Sequence, residues 1–454
     1  MEQENLDAWV INGSDPHGSE YVGSRWKTRA WISGFTGSAG TVVVTRDRAL
    51  LWVDSRYFLQ AEAELEGSSF ELQKLDTPQV VDHVQWLIDT LEPNAKVGIP
   101  AYCVSMAAAR TMQAGFLQKQ LSLVYTDDWF DSIWQDRPPI PCRPVYRKAD
   151  EVAGMSSTEK IQQIRSILRQ KGCTHTIVSS LDDIAWILNL RGDDIPYSLV
   201  FLAYLLIGPD TVKLCTDPAH FDEDLASSLA PTISLMSYDE IFICCEQMFS
   251  QTDSILLFPD KTSILLRNAI PSNIRIVEGR DISTDLKACK SPVEVEGMRR
   301  AHLLDGVALV RLLAELDRTT QVHTELSIAD RLAELRGEHE EYLGPSFSPI
   351  AGYGPHGALN HYSASRESSV SLVGDSLLVL DTGGQYVSGT TDVTRTLLFG
   401  EPSKQMMQDY TLVLKGNLAL AAQRFPRGTC GYQIDILARQ FLWQAGCSYG
   451  HGTG

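Results

Sequence analysis

Two stretches of this chain repeat one another. Ala30–Phe58 reads AWISGFTGSAGTVVVTRDRALLWVDSRYF, and Ala185–Asp217 reads AWILNLRGDDIPYSLVFLAYLLIGPDTVKLCTD. Each opens Ala-Trp-Ile and places a glycine six residues after the tryptophan, Trp31 to Gly37 and Trp186 to Gly192. Each then continues into an apolar strand and a second strand. Matching segments about 155 residues apart predict tandem copies of one α/β domain. At 454 residues the chain is too long for one hydrophobic core, and two or three domains are expected.

Four prolines between Asp136 and Pro144 forbid helix and central strand, which places a linker there ending near Asp150. The second domain opens on the helical pattern EKIQQIRSILRQKG, with Thr158 as cap and Gly172 as stop. After Lys290 comes SPVEVEGMRRAHLLDGVALVRLLAEL. Ser291 can cap a helix there, Pro292 suits its first turn and Glu294 supplies the capping-box acid. Met298, Leu303, Val307 and Leu313 continue at helical spacing. The division read from the sequence is therefore 1–150, 151–290 and 291–454. In the third part helices run to about Tyr342, strands follow in SFSPIAGYGP, SLLVLDTGGQYVSG and TTDVTRTLLFG, and helices resume, an α+β pattern.

Charge narrows the function. Asp plus Glu number 57 against 39 Lys plus Arg, a net charge of −18, which repels nucleic acid and anionic membranes. The N-terminus MEQENLDAWV lacks the basic and apolar regions of a secretory signal. The longest apolar stretch, Ser198–Gly208, is about half the roughly 20 residues of a membrane span and reads as a buried strand. Nine scattered cysteines without CxxC spacing indicate reduced thiols in the cytosol.

The candidate chemistry lies in Asp381 and Asp392, which flank the turn-forming sequence TGGQYVSGTT. With the turn centred between Tyr386 and Val387, the two acids are equidistant from it and face each other, Cβ atoms roughly 4.5–5.5 Å apart. Facing carboxylates repel unless a cation lies between them. Divalent ions roughly 3.5–4 Å apart suit that space, and carboxylates are ligands suited to such ions. Spacing alone fits two solvent-exposed turn acids equally well. The apolar run Leu377–Leu380 leading into Asp381 weighs towards the pair. A lone loop histidine is usually incidental, and His356 is assigned to that class. Beside the aspartates, His361 in GYGPHGALNHYSA and His451 in YGHGTG are candidates to grip a carbonyl oxygen or position substrate. LLVLDTGG has the Asp-Thr-Gly of an aspartic protease, but that chemistry needs a second copy. GFTGSAG does not fit a nucleophile elbow, and GYGPHG lacks the Lys-Ser/Thr ending of a phosphate loop.

DTGGQYVSGTTDVTRT, SFSPIAGYGPHGALNHYSA and the terminal HGTG resemble the aminopeptidase P family of pita-bread metallopeptidases. LKACKSPVEVEGMRRAH, SSLDDIAWILNLRGDDIPYSLVFLAYLLIG and GFTGSAGTVVVT resemble its three-domain, cytosolic X-prolyl aminopeptidase subgroup, so the resemblance covers nearly the whole chain. It implies two tandem creatinase-N-type α/β domains, then a pita-bread α+β catalytic domain. It also implies a cytoplasmic homodimer that removes the N-terminal residue from peptides with proline second, using two manganese ions.

In that family two aspartates, a histidine and two glutamates hold the metals. Asp381 and Asp392 match the aspartates. His361 matches a histidine that stabilises the tetrahedral intermediate, and His451 matches the substrate-side first histidine of an HGTGH-type motif. The ligand histidine would be position 455. The expectation is thus a catalytic domain incomplete at its C-terminus, with fewer metals than two or none, little or no activity alone, and the remaining segment as a separate fragment. The rival expectation is a non-catalytic peptide- or protein-binding module on the same fold.

Overall fold

The computed structural model describes residues 1–451 other than 76, 78, 79, 319 and 320; the last three residues of the HGTG motif lie outside the described residues. Two six-stranded sheets dominate the first two-thirds. In the first, the order is Phe70–Lys74, Ala49–Val53, Thr41–Thr45, Ala8–Ile11, Lys96–Pro100 and Ser122–Thr126. In the second it is Ser234–Met236, Val212–Thr216, Ala203–Ile207, His175–Val178, Ser254–Leu257 and Arg275–Glu278. The sense of pairing also matches, strand for strand. From the first-named edge inwards each sheet runs parallel, antiparallel, antiparallel, parallel, parallel. The repeat read from two Ala-Trp-Ile segments is thus a repeat of topology. Both Ala-Trp-Ile triplets sit in helices, Thr28–Ser33 and Leu181–Leu188, that precede the hairpin of their sheet.

The two sheets share one apolar core. Val10, Trp52, Leu87 and Phe116 from the first pack in the same cluster as Ile177, Tyr204, Cys245 and Ile255 from the second. Their junction is near-symmetric. Met106 N donates to Thr262 O, and Ile264 N donates to Val104 O, both at 2.9 Å, each at the start of a helix capped by a serine, Ser105 or Ser263.

Helix Ser157–Gln170 begins two residues earlier than the sequence suggested. Ser156, not Thr158, is its cap, and Ser156 and Glu159 complete a capping box. Gly172, at φ +66°, ends it as expected. At Ser291 the capping box forms as read, with Ser291 N donating to Glu294 Oε2 at 2.8 Å and Glu294 N to Ser291 Oγ at 3.2 Å. The helix it starts, Pro292–Arg318, buries a different stripe from the one that the spacing of Leu303 and Val307 marks. Leu303 and Val307 are 62% and 53% exposed, whereas Ala301, Asp305, Ala308, Leu309 and Leu312 are buried. The inward position of Asp305 is explained by Arg336 on the adjacent helix Glu325–Gly337, which pairs with it at 2.6 Å.

These two helices pack against a three-stranded antiparallel sheet with Ser376–Thr382 at its centre, flanked by Ile350–Tyr353 and Val393–Phe399. Helices Lys404–Ala421 and Ile436–Gln444 pack on each other after the last strand. Among the described residues no helix is long and apolar enough to cross a membrane.

Candidate metal centre

Asp381 lies one residue from the end of the central strand, paired with Ile350 on one side and Thr394 on the other. Asp392 directly precedes the last strand. The register therefore differs from the one read from the sequence. The turn is Tyr386–Gly389, closed by Tyr386 N donating to Gly389 O at 2.8 Å, so its centre is one residue later than expected. Moving a hairpin centre by one residue changes the pairing by two, and side chains alternate with period two. Asp392 is consequently diagonal to Asp381 instead of directly opposite, and both remain on one face.

The pair is under electrostatic load. Oδ1 of Asp381 is buried and has no hydrogen-bond partner among the described residues. Asp392 is exposed as a residue, yet its carboxyl is pushed up, first by partial desolvation and then by the charge of Asp381. A buried carboxylate oxygen without a donor is costly, and a divalent cation satisfies it while removing the repulsion. The donor set, hard carboxylate oxygens, fits such an ion. Among the described residues these acids are not joined by a third metal-ligating side chain.

Buried neighbours fix the loop between the aspartates. Arg336 donates to both oxygens of Asp305, at 2.6 and 3.1 Å, to Gly383 O at 3.1 Å and to Thr382 Oγ1 at 3.1 Å. Tyr386 OH donates to the same Asp305 at 3.0 Å. Ser346 Oγ donates to Thr391 O at 2.8 Å. The buried ion pair thus ties Thr382, Gly383 and Tyr386 to the helical layer, while Ser346 holds the Thr391 end of the loop.

His361 sits in a loop at φ +59°, a conformation that needs support from its surroundings in a residue other than glycine. Support comes from Glu325, fully buried on the first turn of helix Glu325–Gly337. Its carboxylate accepts from Tyr353 N at 2.7 Å, His356 Nδ1 at 2.9 Å, Tyr362 OH at 3.0 Å and Val370 N at 3.1 Å. His356 is therefore a structural partner of Glu325.

The His361 imidazole meets the first domain. Tyr57 OH lies 2.6 Å from Nδ1, and Ser38 Oγ lies 2.5 Å from the same phenol. The His451 ring stands edge-on to His361, centroids 6.4 Å apart. Arg439 donates to His451 O at 3.2 Å, and Ser55 Oγ to Gly450 O. His361 is held below its ordinary pKa by burial, then by the Arg56 charge and its neighbour His451, with Asp381 opposing. Tyr21 is pushed up to about 12 by burial and by Glu20, Tyr197, Tyr57 and Asp392. The structure thus brings Asp381 and Asp392 together and places His361 beside His451. Ser38, Tyr57, Arg336 and Glu325 escaped the sequence reading, since their contacts span from 19 to 304 residues and leave no local pattern.

Residues 1–133 match the family model for the Creatinase/Prolidase N-terminal domain, and residues 136–294 match a second model of the same description. Residues 296–454 match metallopeptidase family M24. The whole chain is 37% identical over 471 residues to the probable Xaa-Pro aminopeptidase P of Neurospora crassa, spanning 69% of that protein. It is 38% identical over 465 residues to the corresponding protein of Laccaria bicolor, spanning 72%. Its fold superposes with a TM-score of 0.94 on X-prolyl aminopeptidase from Caenorhabditis elegans, a cytosolic enzyme with a di-nuclear active site. That alignment covers 99% of this chain and 74% of the other, at 31% identity. Two creatinase-type α/β domains, an M24 pita-bread domain and this level of identity along the whole of this chain together establish that it belongs to the Xaa-Pro aminopeptidase P family of metallopeptidases.

Proposed function

We propose that this protein removes the N-terminal residue from peptides whose second residue is proline, with Asp381 and Asp392 as ligands of a dinuclear manganese centre. The crowded carboxylate pair with its unpartnered, buried Asp381 oxygen carries this assignment. A binding module without catalysis has no use for that electrostatic cost. When bound, the divalent centre supplies an activated water and a Lewis acid for the scissile carbonyl.

His361 is the residue we assign to the developing oxyanion. With Tyr57 OH donating to Nδ1, the neutral ring carries its proton on Nε2, which is then the donor free to meet substrate. The depressed pKa keeps the ring neutral near pH 7. His451, edge-on to His361, is assigned to substrate positioning. We retain 1–150, 151–290 and 291–454 as the division of the chain. The cytosolic relative and the family resemblance support a cytoplasmic homodimer.

Metal content after equilibration with manganese, measured together with release of the first residue from an Xaa-Pro peptide, tests the assignment. Asp381→Asn is expected to lose both. Manganese uptake and turnover that survive this substitution, or absence of uptake by the unsubstituted protein, overturn it.

A further inference from the structure

A cavity of about 860 Å³ lies between the first two domains and the 382–391 loop. One side is formed by Gln385 and Thr390 of that loop together with Tyr21, whose hydroxyl is electrostatically coupled to Asp392. Thr390 stands two residues before Asp392, so this side of the cavity is built on the loop that leads to that aspartate. Its other side carries Arg147, Lys148 and Arg191, with Lys160 behind them, only 1% exposed.

These four cations are handled differently from the others that line the cavity. Lys261 is paired with Asp183 at 2.5 Å and Asp281 at 2.7 Å, and Lys287 with Asp182 and with Asp183 at 2.7 Å. Arg147, Lys148, Lys160 and Arg191 form no ion pair among the described residues, in a chain with a net charge of −18. Lys160 donates to Trp186 O at 2.8 Å and Asn189 Oδ1 at 2.6 Å, and its ammonium lies 4.3 Å from the Trp186 ring centroid. Arg191 donates to the carbonyls of Ala185 and Leu190 at 2.7 and 2.8 Å. The Lys148 ammonium has no hydrogen-bond acceptor among the described residues. The nearby acids are engaged elsewhere: Glu294 caps its own helix and Asp150 accepts from Asn189 at 2.8 Å. Lys148 and Lys160 are each pulled down to about 8, first by burial, with Arg191 adding repulsion and Glu294 opposing from a distance in both. Arg147 is exposed and donates to Ser228 Oγ at 2.9 Å, whereas Lys148, Lys160 and Arg191 are grouped and partly desolvated with no acid in direct contact, a cost that an anion reaching Lys148 would relieve.

We infer that this wall receives the C-terminal carboxylate of the peptide substrate. A peptide with its N-terminus at the aspartates and its chain extended into the cavity would place its far end against Lys148 and Arg191. The protein would then select oligopeptides of a particular length with a free C-terminus. This specificity rests on the peptidase assignment above, but its test reads binding separately from turnover.

The test is calorimetric titration of the protein with a series Xaa-Pro-(Ala)n, each as free acid and as C-terminal amide, for the unsubstituted protein and Lys148→Met. Free acids are expected to bind roughly tenfold tighter than amides at one or two lengths, reflecting a reach of about 3.3–3.6 Å per residue. Lys148→Met is expected to abolish that difference and leave amide binding unchanged. Equal affinity for acid and amide at every length, or a preference that survives Lys148→Met, overturns the inference. Inorganic phosphate binding as tightly as the best free acid, with no dependence on peptide length, would make this a general anion site and also overturn it. Absence of Xaa-Pro cleavage with the acid preference intact would refute the peptidase assignment and not the carboxylate site.

Discussion

The Tyr57 hydroxyl lies 2.6 Å from Nδ1 of His361, so a residue of the first α/β domain holds a ring of the third. Their rings meet edge-on with centroids 5.6 Å apart. Tyr57 is fully buried and packs against Phe35 at a T-shaped angle, so the first domain presents a rigid phenol. Tyr57→Phe keeps that packing and removes the hydrogen bond. It is expected to lower kcat on an Xaa-Pro peptide by roughly 10- to 100-fold with little change in KM, the size typical of a group orienting a working histidine. An unchanged kcat would show that His361 needs no such support.

The Arg336–Asp305 pair is buried on both sides, and removing one partner leaves the other charged and unpaired. Arg336→Met is expected to destabilise the third domain by about 3–5 kcal/mol. Since Arg336 also holds Gly383 O, the same variant is expected to bind manganese more weakly. Replacing both residues by apolar ones should restore much of the stability without restoring the metal affinity. Urea unfolding of both variants and the unsubstituted protein, read beside manganese titration, separates the two effects.

Legibility in the sequence followed the range of the interactions. The repeat was visible because each copy needs its own helix and hairpin at fixed spacing, and the Ser291 capping box because it is complete within four residues. The aspartate pair kept its shared face despite the displaced turn, since a two-residue change of register preserves side-chain parity. Leu303 and Val307 misled because the buried stripe of their helix is set by a distant arginine that requires Asp305 to point inward. His356 gave no sign of its role, since its partner Glu325 is 31 residues away. Tyr57 was invisible for the same reason at ten times the separation.

Acid should loosen the junction of the first two domains before it unfolds them through their carboxylates. His17 is buried there, with Nδ1 donating to Ser179 O at 2.8 Å and Nε2 accepting from Tyr238 OH at 2.7 Å, a neutral tautomer. Burial lowers its pKa below the ordinary 6.5, and burial also lowers those of His83 and His175. The unfolded chain therefore takes up protons first, so stability is full above about 6.5 and is lost as pH falls towards the folded values. Denaturant midpoints are expected to drop between pH 7 and pH 5. His17→Gln should be less stable at pH 7 and should show a shallower slope. An equal slope in both proteins would remove His17 from this account.

Two glycine replacements should act in opposite directions, for reasons that separate the site from the scaffold. A Cβ on Gly383 would collide with Thr391 O, in the loop that joins the aspartates, and with Ser346 Oγ, which holds that loop from outside. The Thr391 carbonyl belongs to the residue before Asp392, so any accommodation displaces that carboxylate. Gly383→Ala is expected to abolish tight manganese binding. A Cβ on Gly306, in the middle of helix Pro292–Arg318, would meet nothing within 4 Å. Gly306→Ala removes conformational freedom from the unfolded chain and is expected to stabilise by about 0.5–1 kcal/mol with manganese affinity unchanged. Calorimetric metal titration and thermal unfolding of both variants provide the comparison. Undiminished metal binding by Gly383→Ala would mean that Asp392 can move without loss, which two carboxylates sharing a fixed dinuclear centre do not permit.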